Sequence, residues 1–133
     1  MKALRAVFLV HGLITLAGFV VLAVFPAAIP SMVGITLLRS DYLLVYLVAA
    51  AELAVAVLSF GAVRITDWAA VSLIVTTLVV LHATSGILDV VYMMLTHPNA
   101  TMVSNTVLRF AVAAVLVVVW WAARRHQTPG TNR

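Results

Sequence analysis

The stretch Trp68–Leu95, WAAVSLIVTTLVVLHATSGILDVVYMML, decides the fold. Its apolar residues go all the way round a helical wheel, with no polar face for water, so it reads as a helix dissolved in lipid. Near its middle the run is broken by His82-Ala83-Thr84-Ser85-Gly86-Ile87-Leu88-Asp89. Ionisable side chains are costly inside a bilayer and face a partner or a cavity there. His82 and Asp89 stand two helical turns apart, so both project from one face, with Ser85 and Gly86 between them. At a rise of 1.5 Å per residue the stretch is about 42 Å long, more than the ~30 Å of a hydrocarbon core. It is expected to tilt, protrude or break, with Gly86 as the weak point.

Outward from this stretch, hydropathy marks spans at about residues 5–25, 42–63, 68–95 and 106–123, as expected for an all-α integral membrane four-helix bundle. Of the 133 residues, 65% are hydrophobic and 9% charged, with a mean hydropathy of +1.18. A soluble domain of this size has too little interior for that much apolar surface. Residues 1–125 are read as one transmembrane domain, and the polar 126–133 as a disordered tail. The net charge of +4 does not point to nucleic acid, because the cations sit at span ends rather than along an aromatic-lined stripe. Lys2, Arg5, Arg64, Arg124, Arg125 and Arg133 fall on one side, Arg39 and Arg109 toward the other. The positive-inside rule then makes both termini cytoplasmic, in a bacterial inner membrane. Trp68, Trp120 and Trp121 would mark the cytoplasmic interface, and Tyr42, Tyr46 and Tyr92 the outer one. Lys2 and Arg5 before an apolar run resemble a signal peptide. The run from Ala6 to Phe25 is too long for one and reads as a retained span. No cysteine is present, which removes disulfide, thiol-redox and thiolate-metal chemistry.

Between the first two spans, PAAIPSMVGITLLRSD (26–41) holds two prolines yet stays apolar. A short interfacial helix fits it, or a segment dipping into the bundle as a lid. The tight link Arg64-Ile65-Thr66-Asp67 offers Thr66 or Asp67 as N-cap and makes spans two and three an antiparallel hairpin. Ser104 or Asn105 is the expected cap of the last span. The sequon Asn99-Ala100-Thr101, in a chain without secretory signs, reads as chance.

With span midpoints on a common plane, Glu52 and His82 fall within about 2 Å of the centre, Asp89 about 11 Å and Arg109 about 7 Å to the outer side, and His11 about 6 Å to the cytoplasmic side. These heights predict two pairs, Glu52 with His82 and Asp89 with Arg109. Such pairs serve equally to fix helix register or to exchange protons with a ligand. Glu52, His82, Asp89 and Arg109 are therefore the candidate catalytic residues. His11, Thr15, Ser85, Tyr46 and Tyr92 are candidates to contact a lipophilic substrate or lipid. His11 and His82 as axial haem ligands would differ in height by about 8 Å. A metal site of Glu52, His82 and Asp89 lacks a short-spacing motif. No cofactor or metal is expected. The compatible chemistry is cofactor-independent: isomerisation, cyclisation, or hydration such as epoxide opening. The competing expectation is a non-catalytic accessory subunit of a membrane oxidoreductase or transport complex, or a homo-oligomer. Transport by itself would need access from both sides, and the polar groups lie in the centre and outer half.

The segment AELAVAVLSFGAVRITDWAAVSLIV resembles DoxX-like small membrane proteins. The resemblance rests on Glu52 entering the second span, Gly61 closing it and the basic turn at Arg64. It implies a four-helix integral membrane fold and transfers little function, since the family includes oxidoreductase subunits. Only Glu52 maps onto a family motif position.

Overall fold

The computed structural model describes residues 1–125; the polar tail 126–133 lies outside the described residues. Four long helices account for most of the chain: α1 (Lys2–Val24), α3 (Tyr42–Ala62), α4 (Trp68–Leu95) and α5 (Ala100–Arg125). All four are long and apolar enough to cross a membrane, and most of each lies on the outside of the bundle. Large apolar side chains such as Leu13, Leu44, Leu73 and Val118 are exposed. In water that surface would drive aggregation; in lipid it is the solvated face. The protein is an all-α integral membrane protein.

Each boundary has a local cause. Asp67 is extended, and its side chain accepts from Ala70 N at 2.7 Å, so of the two expected candidates it is Asp67 that caps α4. The cap of α5 is not. Asn99 Oδ1 accepts from Met102 N at 2.9 Å, and the helix begins at Ala100 rather than near residue 106. Thr101, Ser104, Asn105 and Thr106 lower the hydropathy of that turn without breaking the helix. The Asn99 amide also donates to Met32 O at 3.3 Å, so both ends of the sequon side chain are engaged in the fold.

The link from α1 to α3 contains the short helix α2 (Ala28–Met32) and a 3₁₀ turn at Arg39–Asp41. Pro30 is accommodated because it lies in the first turn of α2, where an N–H has no helical partner to lose. Gly34 reverses the chain at φ +82°, a left-handed conformation that only glycine adopts cheaply. Asp41 closes the turn by accepting from Leu38 N at 2.8 Å.

The long helices pack as two pairs, α1 with α3 and α4 with α5, and α3 meets α4 only slightly. The expected hairpin is therefore antiparallel in sequence order but is not the main packing unit. In each pair a phenylalanine lies on a glycine. A Cβ on Gly12 would come within 2.8 Å of the Phe60 ring, and one on Gly86 within 2.9 Å of the Phe110 ring. Small residues let helices approach closely where no water is present to drive them together. Gly86 thus serves as a contact point, and α4 runs unbroken through it.

The interior differs between the two ends. At the end holding the N-termini of α1 and α4, Leu4, Phe8, Ala62, Val71, Ile74, Val75, Leu78 and Leu116 form a continuous buried cluster. Trp68 stacks on Trp120 with ring centroids 6.2 Å apart, and the Trp120 indole N–H donates to Ser72 Oγ at 3.1 Å. Arg124 lies 5.5 Å from the Trp120 ring centre. At the other end the buried apolar cluster shrinks to Leu22, Val45 and Ala49, and a cavity takes up the remaining space.

Candidate functional site

The cavity has a volume of about 630 Å³ and is walled by both helix pairs. Its size is that of a site for one drug-sized molecule. Ile29, Pro30, Val33, Ile35 and Leu37 of the α1–α3 link form part of its wall, so the apolar link contributes to the site and is more than a tether. Glu52, His82, Asp89, Arg109, His11, Thr15 and Tyr92 all line it. Tyr46 and Ser85 are not among its lining residues. Tyr46 instead makes an edge-to-face contact with Tyr42 on its own helix, with centroids 6.4 Å apart.

Asp89 and Arg109 meet as expected, with Nε 3.0 Å from Oδ2. The N–H is not aligned on the oxygen, so the contact is an ion pair rather than a directed hydrogen bond. Thr106, buried below, spends its proton on Met102 O at 3.0 Å and lies 3.5 Å from Asp89 Oδ2.

The other expected pair does not form. His82 is bonded to His11, Nε2 to Nε2 at 2.8 Å, with the rings at 89°. The error lies in placing span midpoints on one plane. Val24 lies as many residues beyond His11 as Leu95 lies beyond His82, so the five-residue excess of α4 (28 residues) over α1 (23 residues) falls wholly at the Trp68 end. Against aligned midpoints that excess displaces α4 by half its length, about 4 Å, and the observed bounds of α1, two residues earlier at its midpoint than the expected span, add about 3 Å, which together bring the two imidazoles level. Among the described residues no group of three or more His, Cys, Asp or Glu is placed to hold a metal ion.

Hydrogen-bond logic fixes the tautomers along this chain. Ser59 Oγ is 2.8 Å from Val55 O and 2.9 Å from His11 Nδ1. With its single hydroxyl proton donated to Val55 O, Ser59 accepts from His11 Nδ1–H. Neutral His11 then offers a lone pair at Nε2, and His82 Nε2–H donates to it. His82 Nδ1 is left as a bare acceptor, buried and without a protein partner. We expect imidazole ¹⁵N spectra to give a protonated Nε2 and an unprotonated Nδ1 for His82, with a scalar coupling across the N–H···N bond. Ser59→Ala should abolish the tautomer preference of His11. A protonated Nδ1 on His82 in the neutral pair would overturn this assignment.

Ser59 is fully buried, and it belongs to this polar chain without being among the candidates the sequence points to. A signal was present: Ser59 lies two turns from Glu52 in an otherwise apolar helix. Asn105, one turn before Arg109 and also in the cavity wall, was read only as a cap.

Compared with family models, with curated proteins and with solved structures, the chain gives no match.

Proposed function

We propose that the protein is a small membrane-embedded enzyme that binds a lipophilic molecule in the cavity and acts on it by general acid/base chemistry. The observation that carries this reading is the convergence of His11, Glu52, His82, Asp89 and Arg109 on one chamber whose wall is mostly apolar. Structural ion pairs alone need no chamber; a reacting molecule does. His82 Nδ1 is the base with a free lone pair, and Glu52 is the second group able to take or return a proton. Arg109, steadied by Asp89, is the electrophilic group nearest them. Isomerisation, cyclisation and hydration, including epoxide opening, need only this set. On the same footing we place the chain beside the DoxX-like membrane proteins, on Glu52, Gly61 and Arg64, and in a bacterial inner membrane with both termini cytoplasmic. The positive-inside pattern of Lys2, Arg5, Arg64, Arg124 and Arg125 supports that orientation.

The test is native mass spectrometry of the protein extracted gently from its own membrane. Wild type should release a small lipophilic molecule. Gly18→Leu should release none, because Gly18 lines the cavity beside Glu52 and the new side chain fills it. A ligand-free wild type bound to another polypeptide would make the chamber structural and the protein an accessory subunit of a membrane complex.

A further inference from the structure

The four acidic side chains of the chain (Asp41, Glu52, Asp67 and Asp89) have unequal roles in the fold. Asp41 accepts from Leu38 N, Asp67 from Ala70 N, and Asp89 is paired with Arg109. Glu52 alone makes no hydrogen bond and no ion pair with the described residues, although it is half-buried in the middle of a 21-residue apolar helix. A carboxylate in such surroundings is expensive and is retained where something pairs with it. Its near neighbour across the helix pair is Gly18, whose missing side chain leaves Glu52 Oε2 3.8 Å from where a Cβ would stand.

The remaining polar groups of the cavity sharpen the point. Arg109 is matched by Asp89, and the two imidazoles satisfy each other and Ser59 as a neutral pair. Two carboxylates against one guanidinium leave one formal negative charge in the chamber. Of the carboxylates and imidazoles, the Glu52 carboxylate and His82 Nδ1 are the two groups left over, and both are acceptors. The donors in the same wall, the Arg109 guanidinium, the Asn105 amide and the Tyr92 hydroxyl, carry no negative charge to hold a cation. Around them the wall is aliphatic, with Ile14, Leu22, Val45, Val48, Leu108 and Val112 on the helices. A fatty acid would add a second unmatched anion; a neutral hydrocarbon would leave both acceptors empty.

We infer that the cavity selects an amphiphile whose polar end is a cationic hydrogen-bond donor, a lipophilic amine, with its ammonium on Glu52 and its apolar body against the α1–α3 link. The inference rests on the proposed ligand-binding role of the cavity and names the class of its ligand. Glu52 supplies the opposite charge and His82 Nδ1 a second acceptor, while Asp89, paired with Arg109, offsets the guanidinium in the charge balance of the chamber.

The experiment uses the full chain in lipid nanodiscs and three probes of equal chain length: dodecylammonium, dodecanol and dodecanoate. Retention is read by native mass spectrometry and by thermal stabilisation, which rises with ligand concentration above Kd. Wild type should retain dodecylammonium at least tenfold more tightly than dodecanol, and dodecanoate least. Glu52→Gln, which removes no bond of the fold, should erase the preference, bringing retention of the amine down to that of dodecanol. Glu52→Asp, keeping the charge on a shorter stem, should weaken the amine yet preserve the order. Preference for dodecanoate, or equal retention of all three in wild type and Glu52→Gln, would overturn the amine assignment while leaving the chamber as a binding site. Retention of no probe by wild type, with Gly18→Leu behaving identically, would overturn the binding role itself.

Discussion

Asp89→Asn should destabilise the bundle by about 3 kcal/mol, the larger of the two stability losses expected here, because it strands Arg109. The choice of magnitude turns on where the pair lies. Ion pairs in water contribute about 0–1 kcal/mol, whereas removing one partner of a buried pair costs about 3–5 kcal/mol. The Arg109 and Asp89 side chains are 31% and 28% exposed, and both line the cavity between the helix pairs. The lower end of the buried range therefore applies, and it agrees with the ~2.5–3.5 kcal/mol cost of an unpaired Arg at the centre of a membrane helix. Asn keeps the shape of Asp and an acceptor oxygen, so the loss measures charge rather than packing. Asp89→Leu with Arg109→Leu should recover most of it, since an apolar pair in lipid needs no partner. Unfolding in mixed micelles checks both. A single-mutant loss under about 1 kcal/mol would mean that Arg109 escapes to water when its partner is removed.

That pair was legible in the sequence because α4 and α5 are joined by a short loop, so height along one converts into height along the other. The His11–His82 pair was not. It joins the first long helix to the third, and nothing in a sequence states that the added length of α4 lies entirely at its Trp68 end. Glu52 stands out in the sequence, since a carboxylate amid AAAELAVAV has no soluble-protein explanation, and it lines the cavity, but its expected partner is engaged elsewhere. The spans themselves were legible for a physical reason: lipid imposes length and apolarity on a helix whatever it packs against. The bounds of α4 are those read from hydropathy alone. Pairing was harder. Which helix a span packs on is set by details as small as Gly12 under Phe60 and Gly86 under Phe110, and hydropathy does not register them. The start of α5 was placed too late because Thr101, Ser104, Asn105 and Thr106 look like a loop, although Asn99 had already capped the helix.

The contrast between the packed end and the hollow end sets the second large effect, about 2 kcal/mol for Leu78→Ala against less than about 1 kcal/mol for Leu22→Ala. In water a buried Leu→Ala change loses both transfer free energy and the contacts around the hole, and costs about 2.7–5.0 kcal/mol. Here the separated helices stay in lipid, which solvates Leu as well as the protein interior does, so the transfer part disappears. What survives is the part that grows with the hole, about 24 cal/mol per Å³, which spans about 2 kcal/mol between a site that collapses and one that does not. Leu78 is fully buried in a cluster contributed by α1, α3, α4 and α5, and neighbours held from four helices cannot all move in. Leu22 is 7% exposed but forms part of the cavity wall; empty space already adjoins it, and its removal merges with that space. The same unfolding measurement, made with and without dodecylammonium, separates stability from function. Leu78→Ala should lower stability and leave retention of the amine intact. Leu22→Ala should do the reverse, weakening retention because the wall that holds the apolar body has receded. Equal losses at the two sites would mean that the chamber collapses onto its walls when empty, and that the opening at one end of the bundle belongs to the occupied state alone.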